Sequence, residues 1–266
     1  MGRGALAGVQ YPIDREFVAS ELGFKRISAN SMDAVSDRDY LVEYQLAASV
    51  CMMHLSRLAE ELILWASQEF GYITLDPAHT TGSSIMPQKS NPDYAEIARG
   101  KTGRVYGNLM SILTTLKGLP LTYNRDMQED KEGYFDSVDT LNQTLKVFSA
   151  IIRKMTVNTD NITRAAETGQ MLATDVADYL VSKGIPFREA HTIVNKICDY
   201  AMENKKEIHT LSLKEYKQFS RAFDHDVLLI NLKSSVESRD IPGGTAPNRV
   251  NKAIKVARQE LDVPYE

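Results

Sequence analysis

Cysteine is scarce in this sequence, which contains only Cys51 and Cys198 among 266 residues. No Cys-x-x-Cys pair or Cys/His metal spacing occurs, so we expect no metal and no disulfide framework. Both cysteines fall in helical patterns, and we interpret them as reduced, buried thiols of a cytoplasmic protein.

The sequence also has no apolar run of the ~18 residues that a membrane helix needs. It opens without a basic, apolar leader segment. We therefore expect no membrane partner.

Positive charge is not in excess either. The formal net charge is -4 and the sequence pI is about 5.8. Non-specific nucleic-acid binding needs a basic surface, so the charge balance argues against a nucleic-acid partner. Apolar residues make up 43% and charged residues 25% of the chain, which is typical of a globular protein with one large or two smaller domains.

Strand patterns are missing as well, and no strand pair is predicted. Instead, apolar residues recur every three or four positions in long stretches, which predicts helices. One such stretch follows a possible capping box at Ser36–Asp39 and continues to about Gly71. A second follows Pro92 and ends near Lys117, and a third continues to about Met155. Each predicted helix has ~25–30 residues, well above the average of about 11–12.

Three helices of this length predict an all-α fold built as a long-helix bundle. Three rods alone would leave apolar faces bare, so we expect helices of other chains to cover them. The middle helix carries Gly100, Gly103 and Gly107 on roughly one face. Glycine inside a helix costs about 1 kcal/mol relative to alanine, so this stripe predicts a helix packed very closely against it.

The pattern changes after Asn158, where the predicted helices become short. Thr174 is a candidate cap, Pro186 begins a helix to about Met202, Ser212 begins a short one, and the last covers about 248–261. We therefore predict a central bundle domain over residues 1–157 and a smaller helical domain over residues 158–266.

The most informative loop is Gly82–Asp93, with the sequence Gly-Ser-Ser-Ile-Met-Pro-Gln-Lys-Ser-Asn-Pro-Asp. Its end, Asn91-Pro92, suits the start of a helix, with asparagine as N-cap and proline at the first position. A helix N-terminus favours an anion, and Lys89 adds a positive charge nearby. The loop is therefore a candidate site for a carboxylate or phosphate, although a solvated loop with an ordinary cap remains an alternative.

This loop resembles the signature loop of the fumarase/aspartase superfamily. Gln88 and three further segments are similar to the argininosuccinate lyase family in particular. These segments are Asn30–Asp39, Ala173–Leu180 and Tyr123–Glu132, and the likeness runs along essentially the whole chain.

The resemblance implies a reversible elimination that splits argininosuccinate into fumarate and arginine without a cofactor. It implies Ser83 as the catalytic base. A serine alkoxide needs nearby positive charge, and Lys89 is our candidate for that charge or for stabilising the carbanion's carboxylate. The resemblance also implies four substrate-binding residues: Asn91, Tyr123, Gln128 and Lys131. Amide, phenol and ammonium groups suit a ligand rich in carboxylates. The family further implies a homo-oligomer, a tetramer with two-fold symmetry.

Two features depart from the family pattern. Ser90 stands where the family usually has a second lysine, and the family's Thr-x-His-x-Gln motif with its catalytic histidine does not occur in this sequence. The chain thus resembles the central and C-terminal portion of the family, and we expect little activity from it alone. His79 is more readily interpreted as structural than as a substitute for that histidine.

Two alternatives stay open at this point. The first is another lyase of the superfamily that releases fumarate, such as one acting on adenylosuccinate. The second is a non-catalytic oligomer like the lens crystallins recruited from this family. Fumarate release separates the enzymes from the crystallin alternative, and the choice of substrate separates the two lyases.

Overall fold

The computed structural model describes residue 4 and residues 6–262, with no description of the Asp262 side chain. It divides into two compact units, residues 1–158 and residues 159–266. In the first unit the helices are α1 (Arg15–Glu21), α2 (Ser31–Ser36), α3 (Asp39–Ala66), α4 (Asp93–Leu116) and α5 (Glu132–Lys154). Short 3-10 helices cover Pro77–His79 and Arg125–Asp130.

The core of the first unit lies between the three long helices. Helix α3 packs along α4, and α5 packs against both. Ala48, Met52 and Leu62 of α3 are fully buried, as is Val105 of α4. Phe148 and Ile151 of α5 join this core near the end of α3. The predicted all-α fold with three long helices is confirmed.

The absence of strand pairs was predicted wrongly, although the error is small. Two antiparallel ladders of two residues each occur in the described residues. Strand β1 (Ile73–Thr74) pairs with β4 (Thr156–Val157), and β2 (Thr81–Gly82) pairs with β3 (Ser90–Asn91). The β2–β3 ladder closes a loop locally, whereas the β1–β4 ladder joins the segment after α3 to the segment after α5. Alternating hydrophobicity cannot reveal a strand of two residues.

The predicted capping box at Ser36–Asp39 is also wrong. Ser36 is the last residue of α2, and Arg38 is the N-cap of α3 without a side-chain capping bond. The Asp37 carboxylate accepts a hydrogen bond from the backbone N–H of Asp39 at 2.9 Å instead. The segment Ser36–Asp39 is therefore the short connection between α2 and α3, and not the capped start of one helix.

The second unit consists of shorter helices. They are α6 (Thr159–Ala166), α7 (Ala173–Ser182), α8 (Phe187–Glu203), α9 (Leu213–Tyr216), α10 (Leu232–Ser238) and α11 (Pro247–Asp262). Leu180, Ile197, Ile208 and Phe223 are fully buried in its core. The predicted cap at Thr174 is wrong, because Leu172 is the N-cap and Thr174 lies inside α7. Ser212 does cap α9, in a full capping box with Glu215.

The glycine stripe of α4 faces open space. A Cβ atom added at Gly100, Gly103 or Gly107 would meet nothing within 4 Å. The expected close helix is therefore absent from the described residues of this chain. Large apolar side chains are exposed on the same helix, including Ile97 at 55% and Met110 at 60%. Among the described residues, no helix is both long and apolar enough to cross a membrane.

Candidate active site

A tight hairpin holds the base of the Gly82 loop. The strands β2 and β3 pair Thr81 with Asn91 and Gly82 with Ser90, so the seven residues between them form the tip. Most of the tip is exposed to solvent, and the Ile85 side chain is 85% exposed. The hairpin thereby fixes both ends of the loop just before α4 and leaves its tip to solvent.

Ser83 is half-buried at the start of this tip, and its hydroxyl oxygen accepts two backbone hydrogen bonds. The N–H of Ile85 lies 3.2 Å and that of Met86 3.0 Å from Ser83 Oγ. Two N–H donors aimed at one oxygen stabilise a negative charge on it. Ser84 is exposed. The geometry therefore distinguishes the first serine of the pair from the second.

Lys89 and Asn91 lie at the other end of the tip. The backbone N–H of Lys89 donates to the Met86 carbonyl at 3.1 Å, which closes a turn, and its side chain is exposed. Asn91 was predicted wrongly as the N-cap of α4, because its backbone is held in β3 and Pro92 takes the cap position. The half-buried Asn91 side chain makes no capping bond, which leaves its amide for another partner.

Tyr123 and Gln128 come together in the connection between α4 and α5. The Gln128 amide nitrogen donates to the Tyr123 hydroxyl oxygen. Tyr123 is 45% exposed, and the residue before it, Thr122, has a φ of 86°. A β-branched residue with positive φ is strained, at a cost on the order of 1–3 kcal/mol, and such strain is found mainly at functional sites.

Lys131 lies next to a buried carboxylate. Its ammonium Nζ donates to Asp130 Oδ1 at 2.7 Å, and Arg38 Nε donates to Asp130 Oδ2 at 2.5 Å. The Asp130 side chain is only 3% exposed, whereas that of Lys131 is 53% exposed. Burial raises the pKa of Asp130, but the hydrogen bonds and positive charges of Lys131 and Arg38 outweigh burial and lower the pKa below its ordinary value.

Arg38 and Asp130 were not predicted as site residues, although both fall in segments that carry the family resemblance. They are 92 positions apart in the chain, so no local pattern joins them. The structure forms two groups: the Ser83 loop, and the connection that holds Tyr123, Gln128 and Lys131. Among the described residues, no hydrogen bond or ion pair joins one group to the other.

The histidines lie apart from both groups or make only local contacts. His79, just before the loop, has a buried Nδ1 without a hydrogen-bond partner among the described residues, and its ring meets that of Tyr94 edge-on at 6.2 Å. The other four, His54, His191, His209 and His225, are exposed. In the described part of the chain, no three His, Cys, Asp or Glu side chains lie close enough together to hold a metal ion.

Comparison with known proteins gives two family matches. A family described as lyase matches residues 1–107, and a family described as argininosuccinate lyase C-terminal matches residues 170–237. The argininosuccinate lyase of Dehalococcoides mccartyi is 55% identical over 261 residues, which is 98% of this chain. That of Syntrophotalea carbinolica is 57% identical over the same length. The chain belongs to the argininosuccinate lyase family.

The match to these family members is partial on their side. The chain spans 57% of the length of each of the two relatives. Among solved structures, an EDDS lyase variant with bound fumarate superposes with a TM-score of 0.86 at 28% identity, over 98% of this chain and 54% of the other. A class II fumarase from Schistosoma mansoni, at 18% identity and a TM-score of 0.64, shares the fold.

Proposed function

We propose that this chain takes part in the argininosuccinate lyase reaction, the reversible elimination of fumarate from argininosuccinate to give arginine. The observation that carries the proposal is the pair of backbone N–H groups on Ser83 Oγ, at the position that the family resemblance assigns to the base. Identity of about 55% to argininosuccinate lyases over nearly the whole chain supports the choice of substrate.

The elimination needs a base, a proton donor and positive charge. Ser83, as an alkoxide held by the N–H groups of Ile85 and Met86, takes a proton from the carbon beside a carboxylate. The electron pair left on that carbon forms the double bond of fumarate as the carbon–nitrogen bond breaks. The departing nitrogen takes a proton and leaves as the guanidinium of arginine. Lys89 supplies positive charge, either to the serine oxygen or to the carboxylate that carries the carbanion's charge.

Four residues are proposed to bind the substrate. Asn91 and Gln128 offer amides, Tyr123 offers a phenol and Lys131 offers an ammonium, all of which bind carboxylates. Asn91 is free of a capping bond, and Lys131 is about half exposed, which supports a further ligand at each.

We also propose that copies of this chain associate, because large apolar side chains of α4 are exposed. A tetramer is the proposed assembly. Cys51 and Cys198 are half-buried rather than buried as predicted, and neither forms a disulfide, which supports the proposed cytoplasmic location.

The test is fumarate formation from argininosuccinate. It is measured on the chain alone and again with the part of the Syntrophotalea carbinolica relative outside the match, supplied as a separate polypeptide. We expect little turnover alone and measurable turnover with the added part, because an absent acid–base group costs about 10²–10⁴-fold in rate.

Adenylosuccinate serves as the competing substrate in both preparations. Faster fumarate release from adenylosuccinate would overturn the substrate assignment. An assembled oligomer that releases no fumarate from either substrate would overturn the enzyme proposal and favour a crystallin-like role.

A further inference from the structure

Asp130 is a buried carboxylate between two cations. It ends the 3-10 helix Arg125–Asp130, immediately before Lys131 and α5. One carboxylate oxygen accepts from Lys131 Nζ at 2.7 Å and the other from Arg38 Nε at 2.5 Å. Burying an ionised carboxylate is costly unless it is paired and hydrogen-bonded, and Asp130 uses both oxygens in such pairs.

Arg38 is itself fixed by the backbone. Its Nη1 donates to the Asp37 carbonyl at 2.7 Å and to the Val35 carbonyl at 3.3 Å, and its side chain is 14% exposed. A long side chain held by three acceptors has lost most of its rotamer freedom, so it offers a rigid anchor for the carboxylate. Through Arg38 and Asp130, the short connection between α2 and α3 is held against the residues that precede α5.

Lys131 differs from Arg38 in having capacity left for a ligand. Its side chain is 53% exposed, and an ammonium has three N–H donors, of which Asp130 takes one. The three side chains together carry a net charge of +1 when all are ionised. The cluster therefore combines a rigid, buried end at Arg38 with an exposed, positively charged end at Lys131.

We propose that Asp130 is a positioning residue that holds the Lys131 ammonium for a carboxylate of the substrate, with Arg38 as its anchor. The inference rests on the proposed function, since it assigns Lys131 to substrate binding. A buried ion pair is weak evidence for a role in stability, because apolar groups of similar size often replace such a pair without loss of stability. Stability alone therefore does not explain the buried carboxylate, whereas the placement of Lys131 does.

The experiment measures kcat and KM for argininosuccinate in the preparation that releases fumarate. The variants are Asp130→Asn, Lys131→Met and the double variant Asp130→Asn/Lys131→Met. Asp136→Asn is the matched control, because Asp136 is a carboxylate of α5 with its own partners, Arg104 and Asn108.

We expect Asp130→Asn to raise KM on the order of 10-fold or more. This is the loss in affinity that corresponds to one hydrogen bond between charged groups. The double variant should have a KM within about 2-fold of Lys131→Met alone, because interaction through a shared partner is non-additive. Asp136→Asn should leave KM unchanged. A merely structural role for Asp130 would lower the thermal midpoint without moving KM, or would add its effect to that of Lys131→Met.

Either of those structural outcomes would overturn the inference and leave the proposed function standing. If Asp130→Asn does not fold, Arg38→Gln replaces it, since loss of the anchor should also raise KM. An unchanged KM in folded Arg38→Gln would then refute the inference. Absence of fumarate release by every unsubstituted preparation would instead refute the proposed function, and the inference with it.

Discussion

Ser83 and Ser84 are neighbours of the same chemistry in different surroundings. The Ser83 hydroxyl oxygen accepts from two backbone N–H groups, whereas Ser84 is exposed. A free serine hydroxyl is a weak base, so its environment must stabilise the alkoxide. The two serines are identical in residue type, so residue type does not distinguish them. The turn that follows Ser83 does, because its N–H groups point to the Ser83 oxygen only.

We predict that Ser83→Ala abolishes fumarate release and that Ser84→Ala only weakens it. The alanine at position 83 leaves the two N–H groups without the oxygen on which the alkoxide charge develops. Loss of a general base typically costs about 10²–10⁴-fold in rate. The measurement is kcat for argininosuccinate in the preparation that releases fumarate, with circular dichroism as a check on folding. Full activity in Ser83→Ala would remove Ser83 as the base.

At the scale of elements, the long helices could be predicted and their ends could not. Spacing of three or four between apolar residues is local information, and it located α3, α4 and α5 to within a few residues. Asn91 has the composition of a cap, yet pairing of β3 with β2 holds it outside the helix. At Asn91, pairing between strands thus overrides a local preference for the cap position.

The same limit applies to the candidate site. Ser83, Lys89 and Asn91 share one loop, and the segment Tyr123–Lys131 is a second local feature, so both could be identified from the sequence. The ion pair of Arg38 with Asp130 joins positions 92 residues apart, and only the packing of α3 beside α5 brings them together. A single sequence carries no signal for such a contact.

Helix α9 offers a prediction on pH and stability. Glu215 accepts from Lys206 Nζ at 2.6 Å and from the hydroxyl and backbone N–H of its capping partner, Ser212, at 2.7 and 2.8 Å. The bond with Lys206, followed by those with Ser212, lowers the pKa of Glu215 to about 2. A lowered pKa means that the ionised form stabilises the fold above the ordinary value of 4.5, and that this contribution disappears as the pH falls toward 2.

We therefore expect Glu215→Gln to lower the thermal midpoint at pH 6 and the difference from the unsubstituted chain to shrink steadily between pH 4.5 and 2. Thermal unfolding followed by circular dichroism across this range is the measurement. Glu203→Gln is the control, because Glu203 is exposed near the end of α8. A difference that is constant across the pH range would contradict the assignment.

At the scale of the whole molecule, α4 presents a face that the first unit does not cover. Its glycine stripe meets open space, and Ile97 and Met110 are more than half exposed. Exposed apolar surface of this kind is typical of an interface. Because glycine allows two helix backbones to approach closely, we propose that α4 packs against a helix of another copy in the proposed tetramer.

Gly103→Ala tests this arrangement, because its effect changes sign with the environment. On a free helix face, alanine in place of glycine stabilises by about 1 kcal/mol. In a close helix–helix contact the added methyl group forces the helices apart, and overpacking costs about 1–3 kcal/mol.

We expect light scattering to give a tetramer for the unsubstituted chain at micromolar concentration and a lower mass for Gly103→Ala. Gly118→Ala, in the exposed turn after α4, should leave the mass unchanged. A stable monomer before substitution, or a Gly103→Ala variant with unchanged mass and a higher thermal midpoint, would mean that this face of α4 is free.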